Sequence, residues 1–283
     1  MLRLRLIREP FIAHLLRIFV FALIATSMGN PAHACGDQSD CLVDSGDYRI
    51  LLPESIPANT KIPAIIYIHG LGGSAEETLS NNGFRMIAKQ LGVALVAVSG
   101  LDNSWTFRNG VVRGEVRDEF AYFREVVEDI KTHFPIDEKK IIVTGFSIGA
   151  SMTWYLACYE PQNFAGYITL SGTMWRPQPE KCVGPVGEIY HFHGALDRVF
   201  PLNGRVVEGK HQGAISDTFE IMANQDECSR DIIRQSKSNG LICKYRKNCG
   251  GETLRLCLHN GIHAVDGDHL LEGFREIAKA RGF

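Results

Sequence analysis

The 283-residue sequence predicts an α/β fold, a mostly parallel sheet with helices packed on both faces. Three observations carry this. Apolar runs rich in β-branched residues alternate with segments of helical period. The runs are continuously apolar, as strands buried on both faces require. The composition, 45% hydrophobic and 22% charged, is that of a globular chain and excludes disorder and low complexity.

The elements follow in order. Residues 47–52 read as a first strand, ended by Pro53. Residues 64–69 form a buried strand stopped by Gly70, Gly72 and Gly73. Residues 76–91 are helical, broken near Asn81-Asn82-Gly83, and 93–98 form another buried strand. A polar loop over 101–113 carries Trp105. Phe120, Phe123, Val127 and Ile130 recur at spacings of three and four, which predicts an amphipathic helix over 116–133. A short strand at 140–144, a helix at 148–159 ended by Pro161, and strands at 166–170 and 188–192 come next. A helix over 267–280 closes the chain. Residues 199–262 are polar, cysteine-rich and without a clean period, and read as an insertion stapled by disulfides rather than a second domain.

The first 34 residues stand apart. Arg3, Arg5, Arg8 and Arg17 precede an apolar run at 18–28, too short for the roughly 20 residues of a bilayer span. Ala32-His33-Ala34 then offers a small-residue cleavage site. These features read as a signal peptide over 1–34, with a single mature domain over 35–283 that is secreted or periplasmic and makes no stable membrane insertion. Removing the leader, with its four Arg and one Glu, takes the formal net charge from −2 to −5. Such a chain has no electrostatic footprint for nucleic acid. All eight cysteines remain, and an even count in an exported chain reads as a disulfide framework. Of the 105 pairings that eight cysteines allow, the expected set joins cysteines near in sequence: Cys35–Cys41, Cys158–Cys182, Cys228–Cys249 and Cys243–Cys257. No C-x-x-C pair suggests zinc.

Gly145-Phe146-Ser147-Ile148-Gly149 is a G-x-S-x-G sequence between a predicted strand and a predicted helix. That context is the one in which a strained turn lifts a serine hydroxyl above a sheet as a nucleophile, and the flanking glycines relieve the crowding. A serine needs a base, and the base an orienting acid. Asp197 follows the strand ending in His191-Phe192-His193-Gly194. His259, His263 and His269 are candidate bases. His263 is favoured because a loop before the last helix is free to carry it back to the serine. Asp266 and Asp268 are rival acids but lie close along the chain to His263. The oxyanion donors would be the N–H groups of Ile148 and of Leu71 in His69-Gly70-Leu71-Gly72-Gly73. Trp105 and Trp175 lie near strand ends, where they would line a pocket or simply pack. His191 and His193 share a strand face and would suit a metal, but they read better as satisfying core polar groups. No metal or cofactor is expected.

These motifs resemble the secreted α/β-hydrolase esterases of the polyhydroxybutyrate depolymerase and feruloyl esterase group. The resemblance runs from Tyr48 through Ile68–Ser74, Ser104-Trp105, Val143–Ala150 and His193-Gly194-Ala195-Leu196-Asp197 to Gly261-Ile262-His263. It implies the α/β-hydrolase fold and a Ser147–His263–Asp197 triad. The activity implied is that of a serine esterase acting on hydroxyalkanoate, feruloyl or acetyl-type carboxylic esters, with polymers among the substrates considered. Two departures stand out: Ile148 follows the serine, and Ala264-Val265-Asp266-Gly267 follows the histidine where depolymerases often carry Trp-Pro. Three other classes fit parts of the pattern: a serine peptidase of the same fold, a non-catalytic exported binding protein, and a metal-dependent hydrolase using His191 and His193.

Overall fold

A computed structural model describes residues 35–161, 163–223, 234–238, 240–247 and 253–283. The expected signal peptide and the Cys228–Cys249 pair lie outside the described residues. Strands β1 (Cys41–Val43) and β2 (Gly46–Leu51) form a hairpin, and β3 (Ile62–Ile68) follows. Helices α1 (Ala75–Ser80) and α2 (Asn82–Leu91) lead to β4 (Ala94–Val98). Helix α3 (Glu119–His133), β5 (Ile136–Phe146), α4 (Ile148–Tyr159) and β6 (Gly166–Leu170) come next. The last third holds β7 (Trp175–Arg176), β8 (Glu188–Gly194), β9 (Val206–Val207), β10 (Lys210–Gln212), α5 (Ile215–Ala223), β11 (Arg234–Ser238), β12 (Leu241–Lys247), β13 (Thr253–His259) and α6 (Gly267–Arg281).

Ten strands make one sheet in the order β1-β2-β4-β3-β5-β6-β8-β13-β12-β11. The six from β4 to β13 are parallel, and antiparallel pairs finish both ends. Strands β7, β10 and β9 form a small separate sheet. Alternation within the apolar runs divides the core. Ile66 and Ile68 of β3 and Val96 and Val98 of β4 face one side, where Phe123 and Val126 of α3 and Trp154 of α4 pack. Ile65, Tyr67, Leu95 and Ala97 face the other, against Leu79, Ile87 and Ile277 of α1, α2 and α6. Both faces are covered, as the continuous apolar runs require.

Local chemistry sets the boundaries. The long helix begins at Glu119, not at 116, because the Asp118 carboxylate accepts from the Ala121 N–H as its N-cap. Strand β5 is longer than expected: Ile136 pairs with Ile62 across a register irregularity, and the polar residues between hide the strand. The larger correction concerns residues 199–262. The segment is stapled as expected, by Cys243–Cys257 between register partners on β12 and β13, but it is not merely an insertion. It supplies β11, β12 and the parallel strand β13 to the main sheet. Cys35–Cys41 and Cys158–Cys182 are also bonded.

The Cys158–Cys182 bridge ties the end of α4 to the segment before β8 across 24 residues. Closing a loop of that length stabilises a fold by about 3 kcal/mol through the unfolded chain. The double variant Cys158→Ala/Cys182→Ala is expected to lose about that much in a urea titration. A loss under about 1 kcal/mol would show that the bridge constrains little.

Candidate active site

Ser147 forms the turn between β5 and α4, with φ 60° and ψ −123°. A residue with a Cβ enters that region only when its surroundings force it, at a cost of about 1–3 kcal/mol. Packing supplies the force. A Cβ on Gly149 would stand 2.1 Å from the Ile68 carbonyl oxygen, and one on Gly145 would stand 2.3 Å from that of Gly149. Only glycine lets the helix start this close to the sheet. The Ser147 N–H donates to the Leu170 carbonyl at 3.0 Å, anchoring the turn to β6.

Asp197 lies in the turn after β8, and His263 in the loop after β13. The backbones of these turns are tied together, with the Ala195 N–H on the His259 carbonyl and the Leu196 N–H on that of Gly261. Site residues therefore gather beyond the carboxyl ends of parallel strands, where open α/β sheets form their crevices. His263 Nδ1 lies 2.7 Å from Asp197 Oδ2, and His263 Nε2 lies 3.0 Å from Ser147 Oγ. A carboxylate only accepts, so Nδ1 carries the proton and Nε2 accepts from the serine hydroxyl. Asp197 Oδ1 accepts from the N–H groups of Val199 and Phe200, both at 2.8 Å. Burial pushes the Asp197 carboxyl up. The His263 hydrogen bond, the Phe200 N–H and the His263 and His193 rings outweigh it and hold the group below the usual carboxylate value.

The other candidates lie elsewhere. His259 ends β13 and accepts from the Gly261 N–H at 3.1 Å. His269 stacks on Phe192 with ring centroids 4.7 Å apart. Asp266 caps α6 by accepting from the Asp268 N–H. Ile148 opens α4, where its N–H has no partner within the helix. The loop carrying Leu71 lies against the elbow, since a Cβ on Gly70 would meet the Ser147 Cβ at 3.3 Å. Trp105 and Trp175, expected either to line a pocket or simply to pack, are both buried. Trp105 Nε1 donates to the His69 carbonyl at 2.9 Å and props that loop from beneath. Trp175 packs its edge on Phe200, whose ring stacks on His263 at 5.8 Å.

A buried chain of polar groups lies behind Asp197. His193 Nε2 faces the Phe200 carbonyl at 2.7 Å, so that nitrogen carries the proton. His193 Nδ1 then accepts from His191 Nε2 at 2.9 Å, and His191 Nδ1 accepts from the Thr169 hydroxyl at 2.7 Å. Each ring nitrogen is engaged with the histidine neutral, which leaves no lone pair facing a metal. Sequence reasoning singled out neither Phe200 nor Thr169. Phe200 looks like any core aromatic, because its part in the site comes from its backbone.

The family model described as phospholipase/carboxylesterase matches residues 55–224. Among relatives, the esterase-named protein NocK of Nocardia uniformis subsp. tsuyamanensis is 26% identical over 244 residues, covering 78% of this chain and 70% of that protein. Feruloyl esterase C of Emericella nidulans is 25% identical over 201 residues, covering 65% of this chain and 70% of the relative. The acetyl xylan esterase from Aspergillus awamori superposes with a TM-score of 0.57 at 15% identity, over 81% of this chain and 93% of that one, which shows the shared fold.

Burial lowers the pKa of His69, His191, His193 and His259 below the ordinary 6.5, with neighbouring histidines adding to the effect at the last three. Unfolding restores the ordinary value, so below about pH 6.5 the unfolded chain binds more protons than the folded one. The stability held by these neutral rings is complete above that pH and lost as pH falls. The urea midpoint is expected to drop steadily from about pH 7 to about pH 5. A midpoint level across that window would mean that the rings titrate alike in both states.

Proposed function

We propose, from the premise that this chain belongs to the phospholipase/carboxylesterase family and is a carboxylic ester hydrolase of the α/β-hydrolase fold, that it works through a Ser147–His263–Asp197 triad. The supporting observation is the hydrogen-bonded line from Ser147 Oγ through His263 to Asp197, mounted on a strained elbow.

Ser147 Oγ attacks the ester carbonyl carbon while His263 Nε2 takes its proton. The carbonyl oxygen becomes an oxyanion, which the N–H groups of Leu71 and Ile148 stabilise. His263 then gives its proton to the departing alcohol, leaving an acyl-serine. Water repeats the sequence, with His263 again as base, and releases the acid. Asp197, held ionised, keeps the proton on His263 Nδ1 and stabilises the imidazolium that forms. Hydroxyalkanoate, feruloyl and acetyl-type esters are the proposed substrates, and the names of the feruloyl esterase relatives support the aromatic acyl class.

We place the mature chain at residues 35–283, exported by the 1–34 leader to the periplasm or the medium. Three disulfides among the described residues support an oxidising compartment. No described helix is long and apolar enough to cross a membrane.

Ser147→Ala in the chain beginning at Cys35 is expected to cut p-nitrophenyl acetate hydrolysis by about 10³-fold or more while leaving the far-ultraviolet spectrum unchanged. A folded variant as active as the wild type would remove Ser147 from the mechanism.

A further inference from the structure

Two clefts open beside the site. One, of about 340 Å³, runs along the Leu71 loop and includes Phe146 and Glu77. The other, of about 720 Å³, is lined by Ala195, Leu196, Asp197, Arg198, Val199, Ile262 and His263. Its walls are unusual for a surface. Leu196, Val199 and Ile262 are 61%, 42% and 65% exposed, and they share the cleft lining with one arginine. That cation, Arg198, is itself exposed and has neither an ion pair nor a side-chain hydrogen bond among the described residues. An apolar wall with one unpaired guanidinium suits a ligand with an apolar body and a single anionic end.

Resting on the triad reading above, we propose that this larger cleft receives the alcohol portion of the ester. Arg198 there selects alcohols that carry a carboxylate at the end of an apolar chain. The chemistry gives the direction. His263 Nε2 must hand its proton to the departing alcohol oxygen, so the alcohol portion lies against His263, and His263 lines this cleft. The smaller cleft holds the carboxylate of Glu77, which repels an anion, whereas the Asp197 carboxylate of the larger cleft is buried and taken up by three donors. The reaction is water addition across the acyl C–O bond. The acyl carbon gains the hydroxyl and the alcohol oxygen gains the proton, so the products are the free acid and a hydroxycarboxylate. The substrate class is thus an ester of a hydroxy acid with a free carboxyl end. Cleavage releases the unit bearing that end.

Acetate release from 6-acetoxyhexanoate and from its neutral counterpart 6-acetoxyhexanamide tests this, with p-nitrophenyl acetate run alongside. The wild type is expected to favour the carboxylate in kcat/KM by about three- to fivefold, the scale of one exposed charge pair. The preference should sit mainly in KM and shrink as salt is raised. Arg198→Lys should keep it, Arg198→Gln should abolish it and Arg198→Glu should reverse it. Because the ratio is taken within each variant, any general loss of activity cancels. A wild-type ratio near one, or the same ratio in Arg198→Gln as in the wild type, overturns the assignment. So does turnover of p-nitrophenyl acetate with neither acetoxy compound cleaved. If the folded wild type leaves all three intact, the triad reading itself falls and the subsite with it.

Discussion

The N-terminus of α4 is drawn so close to the end of β3 that a single methyl group on Gly149 would collide with the Ile68 carbonyl. The rest of the site depends on that approach. The helix can start there only if the chain leaves β5 through a sharp turn, and the turn holds Ser147 in a backbone region that side chains avoid. The same closeness brings the loop after β3 against the serine, with Gly70 as its point of contact. Trp105 supports that loop from below, and the His69 ring steadies it by accepting from the Gly100 N–H and donating to the Gly70 carbonyl. Ser147 and the loop that carries Leu71 are thus placed by one steric requirement, met by glycine at two positions of the motif.

The other half of the site is organised around Phe200. Its N–H holds Asp197, its carbonyl receives the proton of His193, and its ring lies parallel to His263. One core residue therefore touches the acid and the histidine and links both to a buried polar chain that reaches Thr169 on β6. Neutral histidines suit this place. They satisfy one another's hydrogen bonds without bringing a second charge beside the Asp197 carboxylate, whose ionised form already has three donors.

What could be read from the sequence was what local chemistry determines. Ser147 is marked by the glycines that its turn demands, and the buried strands by their unbroken apolar runs. Asp197 and His263 followed from chain order and from their places beyond strand ends. The segment over 199–262 was harder because its strands carry charge. Arg255 is buried in β13, where it meets Glu272 and lies over the Tyr245 ring, and Arg246 of β12 pairs with Glu220. Buried, partnered arginines look like surface residues in a sequence and break the apolar pattern that marks a strand. Trp105 and Trp175 were legible only as aromatics near strand ends, which fits a pocket wall and core packing alike; both indoles are buried, and Trp105 has a backbone partner. Phe200 left no trace, since a backbone role writes nothing into residue identity.

The three residues of the line come from distant parts of the chain. His263 is 116 positions from Ser147 and 66 from Asp197. The elbow is local to β5 and α4, but the histidine arrives only when β13, the last described strand in sequence, has joined β8. A chain emerging from synthesis therefore carries Ser147 long before it carries His263. Contacts of such long sequence separation form late. The connectivity of the sheet thus leaves an unfinished molecule without the hydrogen-bonded line on which the proposed mechanism depends.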